Sequence, residues 1–179
     1  MNESNLMELL LNNSIKPKAK SMEIALHLSE GKLHPETIVG LLGKASFSQI
    51  ARLLESVELA SKTHPGLVSP TLFDKAIDLL LSSEPAVKRE SARIIANAAH
   101  LFPQMLNKAT KNLLINCRHE GTVVRWSAAL ALGEILKLKG KGHNDLAKDI
   151  SLLAEMENNS GVKNNYLKAL KAIHKKKQD

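Results

Sequence analysis

The sequence predicts an all-α chain in which helix pairs stack into a solenoid. Three observations point there. Glu84-Pro85-Ala86-Val87-Lys88-Arg89-Glu90-Ser91-Ala92 can be laid on Glu120-Gly121-Thr122-Val123-Val124-Arg125-Trp126-Ser127-Ala128 without a gap, in the shared frame E-[PG]-x-V-x-R-x-S-A, with the copies 36 residues apart. Self-similarity at a period of 20–50 residues is the mark of a repeat array. Leucine clusters also recur, at Leu9-Leu10-Leu11, Leu41-Leu42, Leu79-Leu80-Leu81, Leu113-Leu114-Ile115 and Leu152-Leu153, each near the end of a short amphipathic segment. Finally, 44% of residues are hydrophobic but only 3% aromatic. Ala, Leu and Ile therefore carry the core, which suits close helix packing better than a β-sandwich.

Each leucine cluster closes a helix A, and a turn and a helix B follow. The A–B turns carry cap chemistry: Asn12-Asn13-Ser14 with Pro17, Ser46-Phe47-Ser48, Ser82-Ser83-Glu84-Pro85, Glu120-Gly121-Thr122 and Asn158-Asn159-Ser160-Gly161. Ser, Asn and Thr satisfy the orphan N–H groups of a helix start, and Pro fits the first turn. Between pairs lie Gly31 with Pro35, Pro65-Gly66 with Pro70, Pro103, and Gly140-Lys141-Gly142. All six prolines thus fall at helix edges, where they interrupt no helical hydrogen bond. Arg89 is followed by apolar Ala92, Ile95, Ala96 and Ala99, and Arg125 by Ala128, Ala131, Leu132 and Ile135, the spacing of one buried helix face. Within the shared frame, Pro85 and Gly121 are expected to shape the turn. Val87, Val123, Ala92 and Ala128 are expected to build core, and Arg89 and Arg125 to brace Glu84, Glu120 or helix termini. The pairs divide one domain, residues 1–179, into approximate repeats 4–31, 33–64, 67–102, 103–139 and 143–177.

The run Val124-Arg125-Trp126-Ser127-Ala128-Ala129-Leu130-Ala131-Leu132-Gly133 resembles the helix-B pattern of HEAT repeats: Val-Arg, then Ala, then Leu-Gly. Residues 70–139 match over two repeats, 143–175 match with the register slipped by one, and 4–64 match in helix rhythm alone. Tetratricopeptide arrays also pair helices, but the Trp, Gly and Tyr of their helix A are missing here. The resemblance implies a right-handed α-α superhelix of about five HEAT-like pairs. It also implies binding rather than catalysis, on a concave face lined by B helices. Family repeats carry an Asp in the A–B turn that meets a neighbouring Arg; here Glu84 and Glu120 stand nearest that place.

No catalytic, cofactor or metal site is expected. The seven histidines form no close His-x-x-x-His pair, and Cys117 is the only cysteine, so neither a zinc site nor an internal disulfide can be drawn. Deoxyhypusine hydroxylases of HEAT-like build use several His-Glu pairs, and this chain has only His119-Glu120. Phosphate loops and nucleophile elbows are missing too. Cysteine usage points to a reducing cytoplasm. The N-terminus reads as no signal peptide, and no run approaches the ~20 apolar residues of a membrane helix.

What remains is a binding surface. Net charge is +7, and all of it comes from residues 90–179, since the first 89 residues hold ten basic and ten acidic residues. An acidic partner, or nucleic acid as the alternative, would suit that half. Counting one, four, eight and about twelve residues on from Arg89, Arg125 and Lys163 gives groove positions Glu90, Arg93, Asn97 and nearby His100, then Trp126, Ala129, Gly133 and Lys137, then Asn164, Leu167, Lys171 and Lys175. From these Glu90, Arg93, Asn97, Trp126, Lys137 and Lys171 are the candidate site. Trp126 reads either as an exposed anchor for a peptide or a base or as inter-repeat core. The run Lys175-Lys176-Lys177 reads as a solubilising end cap. The sequence sets neither the partner nor the oligomeric state.

Overall fold

A computed structural model describes residues 1–138 and 143–175. Lys176, Lys177 and the Gly140-Lys141-Gly142 break lie outside the described residues. Ten α-helices follow one another: α1 (Glu3–Leu11), α2 (Pro17–Ser29), α3 (Pro35–Leu42), α4 (Phe47–Ser61), α5 (Pro70–Leu79), α6 (Pro85–Ala98), α7 (Leu106–Asn116), α8 (Thr122–Lys137), α9 (His143–Met156) and α10 (Ser160–Lys175). Among the described residues there is no strand.

Local chemistry explains the boundaries. Pro17, Pro35, Pro70 and Pro85 each occupy the first helical position, where a missing N–H costs no bond. Ser46 and Gln49 close a reciprocal capping box on α4, and the Asn159 side chain accepts from the N–H groups of Gly161 and Val162 at the start of α10. Helix α2 ends in a Schellman turn. Lys32 N–H donates to His27 O and Gly31 N–H to Leu28 O, with Gly31 at φ +69°, a conformation that a Cβ would strain.

The even-numbered helices form one continuous layer, α2 on α4, α4 on α6, α6 on α8 and α8 on α10. The odd-numbered helices form a second, looser layer, with α1 on α3, α3 on α5 and α5 on α7. Leu53, Leu54, Leu72, Phe73, Ile77, Ile94, Ile95 and Leu132 are fully buried between the layers. Phe73 and Phe102 meet with ring centroids 4.5 Å apart, within the favoured range for tilted aromatic pairs. Gly133 lets α8 and α10 approach, for a Cβ there would stand 3.2 Å from that of Ala169.

The true spacing of the third and fourth repeats is 37 residues, not 36. Buried Val87, Ser91, Ala92, Ile94, Ile95, Ala98 and Ala99 of α6 and its end map onto buried Val124, Ala128, Ala129, Ala131, Leu132, Ile135 and Leu136 of α8. Leu72, Ala76 and Leu80 map onto Ala109, Leu113 and Cys117 in the same step. Val123, expected in the core, is 55% exposed, and Val124 is buried in its place. The reason lies at the helix starts. Pro85 is the first residue of α6, whereas Gly121 is the N-cap that precedes α8. The two residues fill different turn positions, and the ungapped alignment hides the offset.

Candidate functional site

The 37-residue register changes which side chains face outward from the B layer. On α6 the incompletely buried row is Ala86, Arg89, Arg93, Asn97 and His100; on α8 it is Val123, Trp126, Leu130, Glu134 and Lys137. The rows correspond position by position, so Arg89 and Trp126 are equivalent, as are Arg93 and Leu130. Of the six expected site residues, Arg93, Asn97, Trp126 and Lys137 lie on these rows, and Lys171 is exposed on α10. Glu90 does not: it is 1% exposed, within the seam between α4 and α6. Ala129 and Gly133 are likewise buried. These are corrections of one helical position, about 100° of arc: Glu90 lies one residue past the outward Arg89, and on α8 the outward row falls five and nine residues after Arg125, at Leu130 and Glu134, rather than four and eight.

The α4–α6 seam is sealed by charge. Glu58, also buried, accepts from Arg93 at 2.8 Å and from Lys62 at 3.0 Å. Glu90 holds Arg89 at 2.5 Å and lies 3.6 Å from Arg93. Asn97 Nδ2 donates to Glu58 O and to Ser61 Oγ. Burial raises the Glu90 pKa, and the facing Arg89 and Arg93 oppose the shift. One seam earlier, Glu55 accepts from Ser21 of α2 and from Arg52. The arginines of this face are thus engaged with carboxylates of their own chain, which leaves little of their charge for a polyanion.

Arg125 does brace neighbouring repeats, with a different acid from the one expected. Its guanidinium donates to both carboxylate oxygens of Glu157, at 2.9 and 3.2 Å, and to the carbonyls of His119 and Glu120. Glu157 belongs to the next A–B turn, and Glu120 offers only its backbone. The Arg125 hydrogen bond holds the Glu157 carboxyl below the usual carboxylate range. The counterpart of Arg125 in the preceding repeat is Lys88, 37 residues earlier, rather than Arg89. Lys88 Nζ donates to Leu80 O and, across the repeat boundary, to Asn116 Oδ1. Each cation ties the end of its own helix A to the following repeat. The signal for this was present: Leu80 and Cys117, not the leucine triplets, keep the constant spacing. His119 has a turn role, its Nδ1 accepting from Gly121 N–H.

Trp126 is 37% exposed and sits over the start of α10. A Cβ on Gly161 would come 3.9 Å from its indole Cδ1, and Asn165 Nδ2 donates to its carbonyl. The ring therefore packs along one edge on the next repeat and shows the other to solvent, which joins the two alternatives.

The odd-numbered layer loosens at its last step: among the described residues α7 and α9 pack less on each other than the earlier odd-numbered neighbours do. A cleft of about 1250 Å³ lies there, lined by Ile115, Cys117, Leu152, Met156 and Tyr166, with Lys88, Arg118, Arg125, Asp149 and Glu157 among its polar groups. Burial pushes the Cys117 thiol up to about 11, too high for a reactive thiolate. Among the described residues, no cluster of three or more His, Cys, Asp and Glu side chains could hold a metal ion, and no helix is long and apolar enough to cross a membrane.

No family model matches the sequence, and no curated protein does. Solved structures do resemble it. An engineered protein from a structural genomics programme superposes with TM-score 0.74 at 18% identity, over 97% of this chain and 80% of that one. A designed armadillo repeat protein in complex with the peptide (KR)4 gives 0.69 at 18%, over 94% and 80%. A third, a computationally designed armadillo repeat protein for modular peptide recognition, gives 0.71 at 18%, over 94% and 81%. At such identities the likeness is one of fold. The chain is a helical-repeat solenoid.

Proposed function

We propose that this solenoid is a HEAT-type peptide- or protein-binding module, not an enzyme, whose ligand runs as an extended chain across the B-helix layer. One observation carries the reading. A half-exposed Trp126 stands in register with Arg89 on a continuous stack of helices, beside Leu130 and in line with Asn164 of α10. Packed helices lie 8–10 Å apart, about the span of three residues of extended chain at roughly 3.3 Å each, so successive B helices can address side chains of one strand in turn. An aromatic that presents a large, rigid surface at low entropic cost is the usual anchor in such contacts. The designed neighbours that bind peptides support the class of ligand. Cations held by buried carboxylates favour a peptide over a nucleic acid on this face.

The test is a peptide array probed with the wild-type chain and with a Trp126→Ala, Leu130→Glu double variant. Both side chains are incompletely buried, so the variant should fold. We expect the bound set to disappear or change. An identical binding profile would overturn the assignment of the face.

A further inference from the structure

The cleft between α7 and α9 lies apart from the outward face of the B-helix layer. Earlier in the odd-numbered layer each helix packs on the next, although Leu11 at the end of α1 stays exposed. Here the flank is left open: Ile115 of α7 is 57% exposed, and Leu152 and Met156 of α9 are 58% and 78% exposed. Three large apolar side chains around one concavity, facing each other from two helices, are more than scattered surface residues. At about 1250 Å³ the space exceeds the 300–1,000 Å³ typical of small-molecule pockets.

Its polar groups are unevenly matched. Arg125 and Glu157 satisfy one another. Lys88 bonds only neutral oxygens, those of Leu80 and Asn116, and Arg118, exposed beside it, has no carboxylate partner among the described residues. Against these two cations the cleft sets a single unpaired acid, Asp149. His119 is engaged by Gly121 N–H. Deeper in, Tyr166 lines the cleft with its hydroxyl buried and without a partner; it is left to the neighbouring Cys117 thiol, a weak bonding group. A buried unsatisfied hydroxyl is destabilising, and a ligand oxygen reaching it would relieve that.

We propose that this cleft receives an amphipathic helix of a partner protein, whose apolar stripe packs on Ile115, Leu152 and Met156 and whose carboxylate meets Lys88 and Arg118. The docked helix takes the place in the odd-numbered layer that α7 and α9 leave open. Helix-in-groove recognition of this kind uses apolar anchors at i, i+3, i+4 and i+7, with charge at the margin fixing direction.

The experiment measures fluorescence anisotropy of labelled amphipathic helices of about 18 residues, long enough to be partly helical alone, that differ in the place of one Glu beside a Leu/Ile stripe. We expect at least one to bind the full chain. Leu152→Glu and Met156→Glu, on exposed positions that leave the fold intact by circular dichroism, should each weaken binding by about tenfold, equivalent to about 1.4 kcal/mol. Arg118→Glu should weaken the Glu-bearing helix and be rescued by a Glu→Lys helix. Trp126→Ala should leave this binding unchanged, which keeps the result distinct from that on the B-helix face. Several results would overturn the proposal: no helix binding, equal affinity for wild type and Leu152→Glu, displacement of bound helix by Trp126-face peptides, saturable binding of palmitate with no helix bound, or a Leu152-dependent dimer in light scattering.

Discussion

Two junctions of this molecule use similar residues to opposite ends. Where α4 meets α6, two buried glutamates pair with two arginines and a lysine, and an asparagine ties the helices together, which closes the seam although one oxygen of each carboxylate has no hydrogen bond. Where α7 should meet α9, the polar groups at the base are partly matched, a tyrosine hydroxyl has no partner, and apolar side chains stand open. Both occur in one array with nearly the same repeat length. The lesson is that charge on a solenoid surface is a poor guide to its ligand. Arg89 and Arg93 look like a binding patch in sequence, yet they hold two helices together. The open cleft is marked chiefly by its apolar side chains, with Lys88 and Arg118 at its margin.

The sealed seam should break hardest. Arg93→Ala removes the cation between Glu58 and Glu90 and leaves both carboxylates buried. Removing one partner of a buried pair costs on the order of 3 kcal/mol, and Lys62 and Arg89 remain to soften it. Urea unfolding should show this loss, and Arg93→Ala with Glu58→Gln should recover part of it. A loss under about 0.5 kcal/mol, typical of a surface change, would mean that the seam is held by apolar packing alone.

The register can be broken next. If 37 residues is the true step, Val124→Ala should cost about 2 kcal/mol, by analogy with other buried truncations, and Val123→Ala should stay within about 0.5 kcal/mol. A 36-residue step predicts the reverse order. Chemical denaturation of the two variants side by side decides between them.

The fold was largely legible because its determinants are local. Pro at the first helical position, Ser46 and Asn159 at helix starts, Gly31 after α2 and the apolar spacing of each B helix all act within a few residues. Even Trp126 was placed where an aromatic can be half used. The candidate site was less legible because it depends on a rotation. A helix turns 100° per residue, so the unequal roles of Pro85 and Gly121 moved Glu90 from the surface to the seam. They also gave Lys88, not Arg89, the bracing role of Arg125. The cleft was invisible for a further reason. Ile115 closes its leucine cluster as exposed Leu11 and Leu81 close theirs, and Leu152 and Met156 lie on another helix, so no local pattern marks the three as walls of one cleft. The acid partner of Arg125 lay 32 residues on, a tertiary contact that no local frame contains.

The smallest effect is also the most specific, because acid should act with opposite sign at the two junctions. Glu157 is held below its ordinary range, first by its hydrogen bond from Arg125. A carboxyl depressed in the folded state contributes stability that is fully present above its unfolded pKa, near 4.5, and is lost as pH falls through the depressed folded value. Glu90 is held above its ordinary range, first by burial. Its charged form is therefore a cost, present above the raised folded value and relieved as pH falls toward 4.5. On acidification from neutral pH, Glu90 should take up its proton first and Glu157 last. Carboxyl carbon NMR titration of the wild type reads both directly, with Glu90→Gln and Glu157→Gln variants assigning the signals. The Arg125→Met variant should return Glu157 toward 4.5 and leave Glu90 in place. Titration of the two carboxyls in the opposite order would show that burial, not the arginine contacts, governs the turn after α9, and that the α4–α6 seam admits water.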